Sequence, residues 1–381
     1  MLNHLKQMIK KRFYSFFPNY YKSNHNRSAL VSYLTAPLYR KETFTHQNVI
    51  ELLKCCEAIR DLGFNVDIVD YMYDGKIDYS RYSLLFGFGY PYGKSFHDPK
   101  CKAVRVAYCT GAMNLFDQMK RLKYLHERRG VKLLPRREYF YPFFQETIAM
   151  SDAILVTGNE WSRRTVESYN AHSYSIQIPV YLDTIPQIDI AKKDFTAARK
   201  HFLWFGSSGA VHKGLDLLLD AFAQMPDLHL HVGGPIVHEK DFIHEYEHEL
   251  YRLPNIHLHG FVSIASEQFR SLLETAAFII FPSCSEGGSG SAVTCMAGGL
   301  IPIVTESAAI NIQDFGFLIK DERIDEIQRV VQSTLNYDER SLKELSQKAR
   351  RYTHQNHSSE MFYQQIKEVV SEIMGVVSIL R

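Results

Sequence analysis

The sequence lacks the patterns that mark several special classes of protein. No stretch approaches the roughly 18 uninterrupted apolar residues that would span a bilayer, and no internal repeat indicates a solenoid. The six cysteines form no C-x-x-C pair, so neither a disulfide framework nor a zinc site is expected from them. Reduced, mostly buried thiols of a cytoplasmic protein are the simpler interpretation.

What the chain does contain is enough apolar sequence for two domains. Its 381 residues exceed what one hydrophobic core usually supports. Apolar residues make up 45% and charged residues 23%, which is the balance of a globular protein and not of a disordered one.

The net charge of +2 conceals two basic segments on an otherwise acidic chain. Residues 1–28 carry six Lys or Arg and no acid, and residues 118–137 carry eight Lys or Arg against one acid. Localised basic segments indicate a localised anionic partner. The sequence has no pattern of an RNA-binding aromatic sheet or of a helix-turn-helix, so no nucleic-acid partner is expected.

The N-terminal segment 1–28 has two interpretations. It lacks the apolar run of about 7–15 residues and the cleavage site of a signal peptide. Cations mixed with aromatic rings are typical of a segment among the headgroups of an anionic membrane, and the alternative is an arm packed on the domain surface. The aromatic residues concerned are Phe13, Tyr14, Phe16, Phe17, Tyr20 and Tyr21.

From residue 29 onward, short apolar runs alternate with helical stretches. The predicted strands of the first half are Ala29–Leu34, Asn65–Val69, Leu84–Phe88, Ala103–Tyr108 and Ala153–Thr157. Those of the second half are His201–Phe205, Leu228–Val232, Ile256–His259, Phe278–Phe281 and Ile301–Val304. Strands separated by helices imply right-handed crossovers and parallel sheets. The pattern predicts an α/β protein with two Rossmann-like, doubly wound domains facing each other across a cleft.

The alternation lapses near residues 180–200, and we place the hinge there. The predicted organisation is a basic aromatic arm (1–28), a first domain (29–185), a second domain (186–355) and a C-terminal helix (356–381) that can pack back on the first domain. Open α/β sheets bind ligands at the carboxyl ends of their strands, so the loops that follow strands carry the functional prediction.

The first such loop runs from Gly206 to Gly214 and leads into a helix. Glycines let the backbone approach a ligand closely, and a helix N-terminus offers unpaired N–H groups and a partial positive charge. Lys213 adds a full charge suited to a diphosphate, although Gly214 after it excludes a Walker loop. A plain helix start explains this loop about as well.

The second loop, Pro282–Ser291, gives a sharper signal. Its consecutive glycines and serines before a short helix, Ala292–Ala297, form a nest of N–H donors for an anion. Glu286 lies among them, where a bound phosphate would repel it unless it faces another part of the ligand. A carboxylate accepts two charge-assisted hydrogen bonds from a vicinal diol, so sugar hydroxyls suit Glu286. The alternative is an exposed loop acid.

These residues carry a resemblance to a known family. The segment Phe202–Thr305 resembles the donor-binding domain of the retaining GT-B glycosyltransferases, specifically glycosyltransferase family 4, also called group 1. The motifs that resemble those of the family are Lys213-Gly214, Gly233-Gly234-Pro235, His259-Gly260-Phe261-Val262 and Pro282 to Gly299, with Met296-Ala297 in register. Over the first domain the likeness is looser.

The resemblance implies a site for a UDP- or GDP-linked sugar, used as a substrate, with no cofactor and no metal. It implies Lys213 and Glu286 as catalytic residues. The donor-binding residues it implies are Gly206, Ser207, Ser208, Lys213, Gly234, Phe261, Val262, Glu286, Gly287, Gly288, Ser289, Gly290, Ser291 and Thr294. The absence of any Asp-x-Asp agrees with a fold that binds diphosphate through helix ends and a Lys.

The chain also departs from the family pattern. The family pairs two glutamates eight positions apart, and Thr294 stands where the second would be. An Arg commonly follows the first glycine of the first loop, and Ser207 stands there. No His occurs at the first-domain strand end, where Tyr108–Gly111 leads into the cleft.

The segment His244–His248 reads H-E-Y-E-H and fits the zinc-protease pattern, in which two His four apart on a helix bind zinc. With 17 His in the chain a chance match is plausible, so a charged surface helix is the preferred interpretation.

The basic segment 118–137 belongs to the half that binds the acceptor in a GT-B enzyme. A helix over Met113–Glu127 would carry much of the charge, which could contact a membrane surface or the pyrophosphate of a lipid-linked glycan, or could be simply solvated. Thr110, Gly111 and Asn114 are the acceptor-side residues we expect at the cleft.

The leading hypothesis is a peripheral glycosyltransferase on the inner membrane face, making a cell-surface polysaccharide or glycolipid. Its partners would be a nucleotide sugar, a glycan or lipid-linked acceptor and an anionic membrane. One alternative is a catalytically silent GT-B protein that scaffolds a glycan-assembly complex, and another is a GT-B sugar epimerase.

Overall fold

The computed structural model of the chain describes residues 16–39, 47–133 and 144–380. Thirteen strands occur in these ranges and form two sheets. The strands of the first sheet are β1 (Phe16–Phe17), β2 (Arg27–Tyr33), β3 (Phe64–Asp70), β4 (Leu84–Gly87), β5 (Val104–Cys109), β6 (Ala153–Thr157) and β7 (Ser173–Ile176). Those of the second are β8 (His201–Phe205), β9 (His229–Gly233), β10 (Ile256–Gly260), β11 (Phe278–Phe281), β12 (Ile301–Thr305) and β13 (Phe317–Ile319).

Helices connect the strands and follow them at the C-terminus. In the first half they are α1 (Asn48–Asp61), α2 (Tyr90–Lys94), α3 (Leu115–Arg129), α4 (Phe144–Met150) and α5 (Glu160–Glu167). In the second half they are α6 (Phe195–Ala198), α7 (Leu215–Phe222), α8 (Lys240–Glu245), α9 (Glu247–Arg252), α10 (Glu267–Thr275), α11 (Gly290–Ala297), α12 (Ile324–Thr334), α13 (Glu339–Asn356) and α14 (Ser359–Leu380).

Both sheets are built on parallel pairs, as the alternation of strands and helices predicts. The first has the order β1-β3-β2-β4-β5-β6-β7, and only its edge strand β1 is antiparallel. The second has the order β10-β9-β8-β11-β12-β13 and its strand pairs are parallel. In each sheet the chain changes direction beside its first parallel strand, which is the position where open α/β sheets bind ligands. The two-domain α/β prediction is confirmed.

The C-terminal helix α14 returns to the first domain. Its apolar face is buried against α1 and the first sheet, so the chain crosses between the domains a second time. The buried side chains on that face include Phe362, Ile366, Val370 and Ile373.

Helix α3 is a first-half element that packs on the second domain. Leu125 is fully buried within the second-domain core, and Leu122 and Leu133 pack against the same core. Helix α3, in the crossover between β5 and β6, therefore covers the other domain instead of its own sheet. The strand-and-helix pattern gives no sign of this exchange, because an apolar stripe does not reveal which core it covers.

Five histidines line one face of the second sheet, and we call them the histidine cluster: His201, His229, His231, His257 and His259. The rings of His201 and His229 stack with centroids 4.5 Å apart. Ring nitrogens of His231 lie 3.0 Å from those of both His201 and His259. Each such N–H···N bond needs one bare nitrogen as acceptor, so at least one ring of each bonded pair is neutral.

The aromatic part of the N-terminal arm packs on the first domain. Phe16 and Phe17 form β1 beside β3, and the Tyr21 hydroxyl donates to the Leu53 carbonyl. Phe16, Phe17 and Tyr21 are thus half-buried on the first domain, as the surface-arm alternative describes, and the membrane interpretation of the segment stays a prediction. Phe13, Tyr14 and the cations before them lie outside the described residues.

Within the ranges that the structure describes, no helix has both the length and the apolar character needed to cross a bilayer.

Candidate active site

The loops after β8 and β11 meet in the cleft between the domains. The Lys213 ammonium donates to Glu286 Oε1 at 2.6 Å. Both residues are buried, with 3% and 5% of their surfaces exposed. Because β8 and β11 are neighbours in the second sheet, their carboxyl ends lie side by side, and this adjacency brings the two charged side chains together.

Close backbone contact between the two loops requires glycine at position 214. Gly214 has φ +74° and precedes α7. A Cβ at this residue would collide with the carbonyl oxygen of Pro282, the first residue of the second loop. A positive φ and the missing Cβ are both properties that only glycine supplies without strain.

Further hydrogen bonds tie the loops together around the Lys213–Glu286 pair. Cys284 N donates to the His212 carbonyl at 3.0 Å. His212 Nε2 lies 2.6 Å from the Ser285 carbonyl, and the Ser283 hydroxyl donates to Glu286 Oε1 at 3.1 Å. The pair is therefore held in a preformed arrangement, and removing one partner would leave a buried charge uncompensated, at a cost of about 3–5 kcal/mol.

Two backbone N–H groups of the first loop already have an acceptor. Those of Gly209 and Ala210, which precede the helix, donate to the Glu239 carboxylate at 2.6 Å and 3.2 Å. Glu239 is buried, and a carboxylate that satisfies backbone N–H groups occupies the place where a phosphate would otherwise bind them. Any diphosphate at this site must therefore use other donors.

The remaining predicted residues of the first loop and the following turns differ in their surroundings. Ser207 and Ser208 are exposed, whereas Gly206 and Gly234 are buried and their backbones pack on each other. Beyond β10, Phe261 is 74% exposed while Val262 is only 4% exposed and belongs to the second-domain core. The Phe261 ring is therefore accessible from solvent, whereas the Val262 side chain packs in the core.

The start of α11 lies against the first domain. The Ser289 hydroxyl caps the helix by accepting from Ala292 N. A Cβ on Gly288 would come close to Gly158, and one on Gly290 would collide with the Gln47 side chain. In the same helix Ser291 is half-buried and Thr294 is buried, so the position that the resemblance assigns to a second carboxylate has little access to solvent.

The first domain closes on the second loop at Gly287. A Cβ at Gly287 would collide with Thr110, Gly111 and Thr157. In addition, Ala112 N donates to the Glu286 carbonyl at 3.3 Å. The structure thus brings Thr110 and Gly111 to the site.

Asn114, the third acceptor-side residue expected at the cleft, acts as a helix cap. Its side-chain oxygen accepts from Asp117 N at 3.3 Å and caps α3. That role is a helix cap, and the structure does not bring the Asn114 amide to the Lys213–Glu286 pair by any hydrogen bond among the described residues.

Two hydroxyls at this junction were not singled out from the sequence. Thr157 Oγ1, at the carboxyl end of β6, and Ser285 Oγ, next to Glu286, are buried without a hydrogen-bond partner among the described residues. Buried polar groups are usually hydrogen-bonded, so an unpaired hydroxyl in a cleft indicates a place where a ligand can supply the partner. The position of Thr157 at a strand's carboxyl end was the signal available in the sequence.

Three arginines of the basic segment 118–137 form ion pairs within the chain. Arg121 is buried and donates to Glu322, while Arg128 pairs with Asp216 and Arg129 with Glu249, all three acids lying in the second domain. The expectation that these arginines contact a membrane or a pyrophosphate is therefore wrong, because acidic residues of the second domain already neutralise them.

The electrostatics of Arg121 agree with this role. Burial alone would lower the pKa of the Arg121 guanidinium, but the nearby carboxylates of Glu322 and Asp216 raise it above its usual value. Arg121 is therefore charged at any physiological pH. Arg136 and Arg137, at the end of the basic segment, lie outside the described residues.

The H-E-Y-E-H segment does not form one helix. Helix α8 ends at Glu245 and α9 begins at Glu247, so Tyr246 interrupts the spacing that would place His244 and His248 on one face. In the part of the chain that the structure describes, no group of three or more His, Cys, Asp or Glu side chains could hold a metal ion. One continuous surface helix was expected here, and that prediction is wrong because the structure has two short helices instead.

Comparisons with known proteins identify the fold. Residues 199–336 match the family model described as "Glycosyl transferases group 1", which confirms the resemblance of Phe202–Thr305 to group 1 glycosyltransferases. A comparison with curated protein sequences finds no match.

Solved structures resemble the chain over nearly its whole length. Sucrose-phosphate synthase from Thermosynechococcus elongatus has a TM-score of 0.60 and 13% identity, covering 92% of this chain and 100% of that one. HepE from Anabaena, in complex with UDP and glucose, has a TM-score of 0.56 and 13% identity, covering 91% and 100%. The catalytic domain of starch synthase IV from Arabidopsis thaliana, bound to ADP and acarbose, has a TM-score of 0.59 and 10% identity, covering 93% and 100%. The architecture is the GT-B fold.

Proposed function

We propose that the chain is a glycosyltransferase that moves a sugar from a nucleotide-diphosphate sugar to a glycan or lipid-linked acceptor, with retention at the anomeric carbon. The observation that carries this proposal is the Lys213–Glu286 contact of 2.6 Å in the cleft of a GT-B fold. The match of residues 199–336 to a glycosyltransferase family model supports it.

The two charged groups suit the two halves of a sugar nucleotide. The Lys213 ammonium would stabilise the negative charge that develops on the leaving diphosphate, with help from the N-terminus of α11. The Glu286 carboxylate would accept hydrogen bonds from sugar hydroxyls. Their short separation fits a substrate in which the diphosphate is bonded directly to the sugar.

Donor entry requires a rearrangement at Gly287. The pair is buried, and Thr110 and Gly111 press on the loop that carries Glu286. Separation of this first-domain loop from Gly287 would open the cleft and expose the unpaired hydroxyls of Thr157 and Ser285. Those hydroxyls are suited to bind the hydroxyls of the sugar or of the acceptor.

The donor is proposed to be UDP- or GDP-linked, and catalysis to be independent of a metal. HepE was solved with UDP and glucose, which supports a uridine donor as the first to test. Because Lys213 supplies a cation where other transferases use a metal, EDTA should leave turnover unchanged. Reversible loss of activity in EDTA would contradict this part of the proposal.

The acceptor is proposed to be presented at the inner face of a membrane, in the synthesis of a cell-surface polysaccharide or glycolipid. Support comes from the cations of residues 1–15 and from Lys120 and Lys123, whose side chains are 75% and 77% exposed. Co-sedimentation with anionic but not neutral liposomes is expected. Binding that ignores lipid charge would refute the membrane proposal.

A panel of UDP-, GDP- and ADP-sugars, measured by thermal shift and by product analysis without acceptor, tests the function. One donor should stabilise and be hydrolysed by the wild-type protein but not by Lys213→Ala. Lys120→Ala, an exposed lysine outside the cleft, is the matched control and should behave as wild type. Stabilisation without turnover would favour the silent scaffold, and an altered free sugar nucleotide would favour an epimerase.

A further inference from the structure

A single arginine from the first half of the chain bonds to both loops of the site. Arg121 is on α3, and 2% of its surface is exposed. Its Nη1 donates to the Val211 carbonyl at 3.1 Å, and its Nη2 donates to the Pro282 carbonyl at 2.8 Å. Val211 is two residues before Lys213, and Pro282 is four residues before Glu286. One guanidinium thus bonds the backbones of the two loops that carry the charged pair.

A second path links Arg121 to the backbone of Glu286 itself. Its Nη2 and Nε donate to Glu322 Oε2, at 2.6 Å and 3.1 Å. The Ser307 hydroxyl lies 3.2 Å from the other oxygen of Glu322. The Ser307 carbonyl in turn accepts from Glu286 N at 2.9 Å. Displacement of Arg121 would therefore disturb the second loop from both ends.

The contacts use a property that arginine has and lysine lacks. A guanidinium presents five N–H donors in a rigid planar fork, so it can bond two divergent carbonyls and a carboxylate at the same time. A lysine ammonium on its flexible side chain would keep a positive charge near Asp216 and Glu322. It could not hold the two loops in a fixed position relative to each other. These contacts therefore require an arginine side chain, and a positive charge alone would not be sufficient.

Attachment of α3 to the second domain does not by itself explain these bonds. Arg128 and Arg129 dock the same helix through Asp216, Asp220 and Glu249. Among the described residues, neither of those two arginines bonds to a loop of the site, whereas Arg121 does. The helix would be anchored without Arg121, so the contacts of Arg121 with the two carbonyls have a separate consequence.

We propose that Arg121 is a positioning residue that fixes the distance and orientation of Lys213 relative to Glu286 by bonding the backbones of both loops. This proposal rests on the proposed function for its catalytic consequence. Its structural consequence, the fixed register of the loops, does not depend on any substrate.

The test compares Arg121→Lys with Arg129→Lys, its matched control on the same helix, in the full-length protein. Amide hydrogen exchange is measured on the free proteins by mass spectrometry. In Arg121→Lys, peptides covering 209–214 and 283–287 should exchange at least tenfold faster, while peptides covering α3 and the second sheet should be unchanged. Arg129→Lys should leave both loops as in wild type. Arg121→Met is a second variant, which also removes the charge. If this variant does not fold, Arg121→Lys keeps the charge and still tests the proposal.

A kinetic arm uses whichever sugar nucleotide of the donor panel the wild type turns over. Arg121→Lys should lower kcat at least tenfold with a smaller change in KM, because the misplaced pair still meets substrate but stabilises the leaving group poorly. The proposal would be overturned if both loops of Arg121→Lys exchanged their amide hydrogens at the wild-type rate. It would also be overturned if Arg129→Lys changed loop exchange and kcat as much as Arg121→Lys does. If the wild type turns over no donor, the proposed function fails, and the exchange data still decide whether Arg121 sets the register.

Discussion

Acidification should destabilise the second domain through the histidine cluster. Burial, with the charge of neighbouring rings as a smaller cause, lowers the pKa of His231 from 6.5 to about 3. Burial likewise lowers the pKa of His201 to about 4. The folded protein keeps these rings neutral while the unfolded chain binds protons below about pH 6.5, so stability is complete above that pH and is lost as the pH falls toward the folded values.

The size of the effect follows from the shift. At pH 5 the linkage relation gives about 2 kcal/mol for His231, whose surface is 7% exposed. His201 is half-exposed, so its shift is discounted for solvent screening and adds at most about 1 kcal/mol. A loss of about 2–3 kcal/mol is a large fraction of the stability of an ordinary domain.

Urea unfolding at pH 7.5 and pH 5.0 would measure this loss. The chain has two tryptophans, and Trp204 lies on β8 in the second domain, so a Trp161→Phe background makes fluorescence report that domain. His231→Gln should lose about 2 kcal/mol less than its parent between the two pH values. His248→Gln, at an exposed position, is the control and should follow the parent. An unchanged pH dependence in His231→Gln would refute the reasoning.

Three further changes test how the loops and domains are held. Gly214→Ala should destabilise the protein by on the order of 3 kcal/mol in urea unfolding, because it combines a positive φ with a collision at a carbonyl; Gly130→Ala, with a similar φ and open space, should cost only about 1 kcal/mol. Glu239→Gln should raise amide exchange at Gly209 by about tenfold, since the charge-assisted bonds weaken; unchanged exchange would contradict the role given to this carboxylate. Ile366→Ala should cost about 2–5 kcal/mol of first-domain stability if α14 completes that core, and a neutral result would contradict it.

Much of the fold could be predicted because the central strands of both sheets are buried. Phe278–Phe281 reads as an uninterrupted apolar run and forms β11, as expected of a parallel strand covered on both faces. The loops of the site could be predicted for a related reason, since each follows such a strand. The 2.6 Å contact of Lys213 with Glu286 then results from the adjacency of two strands.

Other features had no local signal. The docking of α3 on the second domain depends on ion pairs such as Arg121 with Glu322, whose partners are 201 residues apart. Strands β1 and β13 have two and three residues, too few for a hydrophobic period to stand out. The histidine cluster did have a signal, because His231 and His259 belong to two H-L-H segments of period two on neighbouring strands.

The central claim is that Lys213 binds the diphosphate while Glu286 binds the sugar. Calorimetric titration of wild type, Lys213→Ala and Glu286→Gln with a nucleoside diphosphate and with its sugar nucleotide separates the two roles. Lys213→Ala should weaken both ligands at least tenfold. Glu286→Gln should bind the diphosphate at least as tightly as wild type, since Lys213 is released from its partner, but should lose the extra affinity for the sugar nucleotide. Wild-type affinity of Lys213→Ala for both ligands would contradict the account.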